Sequence, residues 1–137
     1  MSDSKSKKYR ILLVEDDAFI SDIYAAKFKK EGFVVFTALD GEIGLEVSKK
    51  ELPDIILLDI LMPKMDGFQV LTQLKELNQT KKIPVILLSN LGQAEDVKKG
   101  FTLGAEDFLI KAHFVPQDVV KRVETLLKLS KKGLKNL

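Results

Sequence analysis

The sequence predicts an α/β fold: a doubly wound (βα)5 architecture with a five-stranded parallel sheet and helices on both faces. Two patterns carry this expectation. Short apolar runs alternate five times with segments of helical period, without an internal repeat or a linker. Three of the runs, RILLV (10–14), IILLD (55–59) and VILLS (85–89), are nearly continuous Val, Ile and Leu, as strands covered on both sides should be. Right-handed crossovers then leave few topologies. The common five-stranded order 2-1-3-4-5 reverses its winding between strands one and three.

The elements follow in order. After the first strand, Asp17 is placed to cap a helix over 18–32, whose apolar face is read as Phe19, Ile20, Ile23, Tyr24 and Phe28, and which Gly32 stops. FVVFTA (33–38) is the second strand. Asp40 caps a weaker helix over 41–51, and Pro53 marks the break before strand three. A third helix, 67–77, starts at the Asp66-Gly67 turn and turns Phe68, Leu71 and Leu74 inward. The fourth strand, 85–89, is followed by a helix over 94–104 closed by Gly104, and FLIK (108–111) is the fifth strand. The last helix, 116–130, has Pro116 in its first turn and an inner face of Val119, Val120, Val123, Leu126 and Leu127.

Composition narrows the function classes. Hydrophobic residues make up 45% of the chain and charged residues 31%, an ordinary globular balance. The absence of cysteine excludes disulfides and thiolate metal sites, and it is compatible with the expected cytoplasmic location. No apolar run approaches the ~20 residues of a membrane span, and the polar start MSDSKSKKYR shows no secretory signal. The net charge is only +2, with the basic residues gathered at Lys5, Lys7, Lys8 and Arg10 and at Lys128, Lys131, Lys132 and Lys135. Without interleaved aromatic platforms these read as solvated ends, so neither nucleic acid nor membrane is expected as a partner. The expected organisation is one domain over 9–130 with flexible polar termini at 1–8 and 131–137.

The chemistry gathers at the strand ends. In a sheet of this kind, ligands bind beyond the carboxyl ends of the strands at the winding reversal. Strand one ends in Glu15-Asp16-Asp17, strand three in Asp59, strand four in Ser89-Asn90 and strand five in Lys111. Clustered carboxylates repel unless a cation sits among them, and hard oxygen ligands suit Mg²⁺. A carboxylate nucleophile beside a metal, a lysine and a hydroxyl suggests phosphoryl transfer onto aspartate. His113, the single histidine, has no second metal-type ligand near it and reads as a surface loop residue.

In ILLVEDD, PDIILLDILMPKMDG, VILLS and GAEDFLIK, taken in this order at four strand ends, the chain resembles the receiver domain of bacterial two-component response regulators, over nearly all of Tyr9 to Lys128. The resemblance implies a flavodoxin-like fold and a phosphoacceptor, Asp59, charged by a histidine kinase or a histidine phosphotransfer protein. It implies Mg²⁺ on Asp16 and Asp59, with Glu15 acting directly or through water and the Leu61 carbonyl as a further ligand. Ser89 would move to the phosphoryl group, Lys111 would pair with it, and Phe108 would be the switch aromatic. Output would pass through helix four, strand five and helix five to an unknown protein target, with the protein a monomer or a phosphorylation-dependent dimer. With the last helix ending near residue 130, a stand-alone module without a DNA-binding domain is expected. It is expected not to be an enzyme beyond slow self-dephosphorylation.

Two other functions stay open at this point: an aspartate-nucleophile phosphatase, and a degenerate receiver that binds a partner without phosphorylation. One departure from the family pattern concerns geometry. Ala112 stands where a proline joined by a cis bond usually follows the lysine. A non-proline cis bond costs ~2.5–4 kcal/mol, so the turn is either trans, with the lysine shifted, or strained. Glu15 also stands where Asp is common, and Leu91 is bulky beside the expected phosphoryl approach.

Overall fold

The apolar runs become the middle of a sheet. In the computed structural model, which describes residues 8–136 and side chains as far as Lys128, β1 (Arg10–Val14), β2 (Val34–Ala38), β3 (Ile55–Leu58), β4 (Val85–Ser89) and β5 (Asp107–Ile110) form one parallel sheet in the order 2-1-3-4-5. Between and after them run α1 (Ala18–Lys30), α2 (Gly41–Glu51), α3 (Gly67–Glu76), α4 (Ala94–Thr102) and α5 (Pro116–Asn136). The expected doubly wound α/β fold is therefore the observed one. The edge strands β2 and β5 are only partly buried, whereas β3 and β4 are buried throughout.

Because strand side chains alternate between faces, the core divides in two. Ile11, Leu13, Ile55, Leu57, Ile86 and Leu88 point to the side covered by α1 and α5, where they meet Phe28, Val119 and Val123. Leu12, Val14, Ile56, Leu58, Val85 and Leu87 point to the other side, against Phe68, Leu71 and Leu74 of α3. Aspartates start three of the helices. Asp17 accepts hydrogen bonds from the backbone N–H groups of Phe19 and Ile20, and Asp40 accepts one from that of Ile43. Asp66 forms a reciprocal capping box with Gln69. Among the described residues no helix is long and apolar enough to cross a membrane.

Two expectations need correction, and one point left open is decided. Of the expected face of α1, Tyr24 and Phe28 are buried and Ile20 packs against the core, and Ser21 and Ala25 are buried beside them. Phe19 is 75% exposed and Ile23 41% exposed, so these two lie outside it. The peptide after Lys111 is trans: there is no cis bond among the described residues, and residues 111–113 form a single 3-10 turn. Lastly, α5 does not end near residue 130 but continues to Asn136, so 131–136 is helical rather than irregular. Its lysines and leucine are good helix formers, and one glycine at Gly133 costs only about 1 kcal/mol. Residues 1–7 and residue 137, and the side chains of Lys131, Lys132 and Lys135, lie outside the described residues.

The backbone closes tightly under the site. A Cβ at Gly67 would lie 2.3 Å from the Asp59 carbonyl oxygen and 2.7 Å from the Ile60 Cα, both backbone atoms. The Gly67 N–H donates to the Ile60 carbonyl at 2.9 Å, so α3 starts directly against the end of β3. Gly67→Ala should therefore displace the segment carrying Asp59 and lower stability by about 3 kcal/mol or more. Thermal denaturation reads this directly, and an unchanged midpoint would contradict the packing described.

Candidate functional site: an acidic pocket closed by a lysine

Sheet register builds the site. Val14 pairs with Leu58 across β1 and β3, so the next residues, Glu15 and Asp59, emerge side by side. Backbone bonds continue the ladder one step further: the Asp59 N–H donates to the Val14 carbonyl at 2.9 Å, and the Glu15 N–H to the Ala38 carbonyl at 3.0 Å. Glu15 and Asp59 are both buried, at 8% and 6% exposure, while Asp16 is exposed at the rim. Carboxylate oxygens of Glu15, Asp16 and Asp59 all lie within 4.8 Å of one another.

Lys111 reaches in from the end of β5. Its Nζ donates to Glu15 Oε1 at 2.6 Å and to Asp59 Oδ2 at 3.2 Å. The trans peptide at Ala112 therefore does not take the lysine away from the acids. The other Glu15 oxygen accepts the Asp17 N–H at 3.0 Å, and Asp59 Oδ1 accepts the Leu61 N–H at 3.3 Å. Burial would lower the Lys111 pKa, but its hydrogen bond to Glu15 and the Asp59 charge outweigh this and raise it. The ammonium is thus fixed in its charged form. Its contribution to stability is full at neutral pH and is lost only as the medium becomes alkaline enough to deprotonate it.

Glu15 is pushed the other way. Burial is the largest effect and raises its pKa; the hydrogen bonds from Lys111 and Asp17 oppose this, and the Asp59 charge adds to it. A carboxyl with a raised folded pKa holds its proton more tightly in the folded state. It therefore costs stability as pH rises through that pKa. Three carboxylates against one ammonium leave two negative charges uncompensated, which is the deficit a divalent cation fills. The donor set is all oxygen and partly open, which fits Mg²⁺ and excludes a thiolate-type metal.

The remaining candidates are close but differently placed. Ser89 is fully buried, and its Oγ accepts the Leu91 N–H at 3.4 Å. Phe108 is half-buried and lies against α4 at a position without a side chain: a Cβ at Gly100 would be 3.1 Å from its Cδ2. The side chain of Leu61 is 55% exposed. His113 is exposed, as expected, and Asp66 serves α3 as a cap. Two hydroxyl residues escaped the sequence reading. Ser21 and Tyr24, one helical turn apart on the inner face of α1, line a small cavity beside Glu15 and Asp59. Their spacing of three was the available signal, but Tyr24 reads simply as an apolar stripe residue.

A parallel α/β sheet with acids and a lysine meeting at its carboxyl rim is the arrangement expected of a receiver domain, and sequence comparison agrees. Residues 11–124 match the family model of the response regulator receiver domain, and the chain belongs to that family. It is 40% identical over 119 residues to the DNA-binding dual master transcriptional regulator RpaA of Synechocystis sp., covering 87% of this chain and 49% of RpaA. The chain spans about half the length of the curated relatives it matches. Among solved structures, a CheY-like receiver domain protein from Methanospirillum hungatei superposes with a TM-score of 0.86 at 25% identity, covering 93% of this chain and 99% of that one. A CheX–CheY–BeF3–Mg complex from Borrelia burgdorferi gives a TM-score of 0.82 at 33% identity, covering 90% of this chain and 92% of that one.

If the acids form one cation site, Mg²⁺ should raise the unfolding midpoint, with the rise setting in near the dissociation constant and continuing with the logarithm of Mg²⁺ concentration, and Asp16→Asn should shift that onset about tenfold or more upward. The affinity should also fall on acidification, and at a higher pH than an ordinary glutamate would require, because the raised Glu15 pKa lets protons compete earlier. Isothermal titration across pH measures this; a pH-independent affinity would contradict it.

Proposed function

We propose that this chain accepts a phosphoryl group on Asp59 from a histidine kinase or a histidine phosphotransfer protein in an Mg²⁺-dependent reaction. The observation carrying this is the Lys111 ammonium held between Glu15 and Asp59 at the open end of the sheet. An Asp59 carboxylate oxygen forms the new bond to phosphorus as the bond to the donor breaks, and the departing group keeps that electron pair. Lys111, already 3.2 Å from Asp59, pairs with the added charge. Glu15, Asp16 and Asp59 would hold the Mg²⁺, with the Leu61 carbonyl as a further ligand. When bound, the ion supplies charge neutralisation for the incoming phosphoryl oxygens.

Ser89 and Phe108 supply the response in this reading. The Ser89 hydroxyl, held by one long hydrogen bond, turns to the phosphoryl group. Phe108 then changes its packing against α4, and the face made by α4, β5 and α5 signals to a protein partner. A cytoplasmic location, and either a monomer or a phosphorylation-dependent dimer, complete the proposal. We read the module as an acceptor with slow self-dephosphorylation rather than a phosphatase. Leu61, two residues after Asp59, has no proton to give a leaving group, and no general acid stands in its place.

Incubation with acetyl phosphate and Mg²⁺ should produce one base-labile acyl phosphate, detected by mass shift. Asp59→Asn should abolish it, and chelation of the metal should suppress it. Equal labelling of the Asp59→Asn protein would rule the assignment out.

A further inference from the structure

The turn that aims Lys111 has little of its own to hold it. Residues 111–113 make one 3-10 turn without a side-chain cap, and none of the three residues is fully buried. Its closing hydrogen bond, from the Phe114 N–H to the Lys111 carbonyl, is long at 3.3 Å. Ala112 leaves φ free to rotate where a proline would lock it. Yet the ammonium carried by this segment sits between two buried carboxylates, 2.6 Å from Glu15 and 3.2 Å from Asp59. The hold on the turn comes from outside it.

Phe114 is where that hold is applied. From Val115 onward the chain is tied to α5: the Val115 N–H donates to Asp118 Oδ2 at 3.2 Å, and the Val115 carbonyl accepts from the N–H groups of Asp118 and Val119. Phe114 lies between the turn and that helix start, with its ring half-buried against the core on the α1 and α5 side. The Arg122 guanidinium of α5 lies over this ring, 5.6 Å from its centroid. Arg122 is itself held by an ion pair with Asp107 at the start of β5. The other Asp107 oxygen accepts the Phe108 N–H at 2.8 Å. One guanidinium thus joins the start of β5 to the residue that closes the turn, and Lys111 lies in the stretch between these two anchors.

The geometry points to Arg122 as a positioning residue for Lys111: paired with Asp107 and laid over the Phe114 ring, it keeps the trans turn closed and the ammonium between Glu15 and Asp59. A guanidinium suits both contacts at once, since it bonds a carboxylate through its edge and an aromatic ring through its face. Its influence reaches the lysine through the Phe114 N–H bond to the Lys111 carbonyl. The consequence for phosphoryl transfer rests on the reading of Asp59 as acceptor and Lys111 as its partner; the positioning itself does not.

Amine acetylation, read lysine by lysine, tests the positioning without metal or phosphodonor. Parent and variants are pulsed with N-hydroxysuccinimidyl acetate, and each lysine is quantified by peptide mass spectrometry. Lys75 is the internal control: its side chain is 19% exposed against 15% for Lys111, and it bonds the Lys81 and Ile83 carbonyls at the opposite end of the sheet. In Arg122→Met, Lys111 should react about two- to fivefold faster, the worth of an exposed cation–ring contact, while Lys75 keeps its parent rate. Phe114→Leu should expose Lys111 in the same way, and adding Arg122→Met to it should change little. Labelling by acetyl phosphate and Mg²⁺ should slow in both variants by no more than the same factor. The proposal is overturned by parent-like protection of Lys111 in Arg122→Met, by Lys75 reacting faster in step with Lys111, or by the full Arg122→Met effect persisting without the Phe114 ring. If Arg122→Met fails to fold, the protection of Lys111 in Phe114→Leu decides. A parent that takes no phosphoryl group, with Lys111 protection lost in the variants as expected, overturns the acceptor reading alone.

Discussion

Everything at the site depends on the pairing of β1 with β3. Val14 and Leu58 are in register, so two carboxylates leave the sheet together into a largely buried space. Like charges in low dielectric repel strongly, and alone such a pair would protonate or splay apart. What holds them is a lysine from a strand two places further along the sheet. Lys111 bonds Glu15 and Asp59 at once, so three elements distant in sequence share one charge balance. That balance is incomplete by two negative charges, counting Asp16 at the rim. That shortfall is the charge a divalent cation would fill.

The surroundings keep this arrangement in place. Gly67 brings the start of α3 against the Asp59 backbone, and the capping box of Asp66 and Gln69 fixes where that helix begins. On the opposite side, α1 starts at Asp17, whose N–H also holds one Glu15 oxygen. The acids are thus gripped from both helix starts as well as from the sheet. α4 is held more loosely. It has no side-chain cap, Gly100 is its one buried residue, and Phe108 lies against that glycine. α4 is thus the element with the least holding it in place, where local opening is easiest.

The central strands and the acid–lysine constellation were legible in the sequence because they combine strong signals. Ile55 to Leu58 form an apolar run that only a doubly covered strand explains, and Asp59 at its end requires a partner. Helix caps at Asp17 and Asp40 were also legible, since a short acceptor before a helical period has one common use, and Asp66-Gly67 was legible as a helix start. The face of α1 was less legible. Phe19 and Ile23 have the greater hydrophobicity, but the sheet accepts Ser21 and Ala25 because small residues let a helix approach closely, and only tertiary packing decides this. The length of α5 depends on whether one glycine breaks a run of helix formers, a contest of about 1 kcal/mol that periodicity does not resolve. The peptide at Ala112 was left open between two geometries, and the 3-10 turn that follows it shows a trans connection can still aim the lysine inward. Tyr24 was counted as an apolar ring, and only the fold shows that it lines a cavity together with Glu15 and Asp59.

The most direct measurement is the anomalous scattering of Mn²⁺ soaked in place of Mg²⁺ into crystals of the protein. One strong peak is expected between the carboxylates of Asp16 and Asp59, with Glu15 alongside and Lys111 still bonded to Asp59. A peak elsewhere, or none at saturating metal, would mean that the carboxylates at the ends of β1 and β3 do not share an ion, and the account of this site would fail.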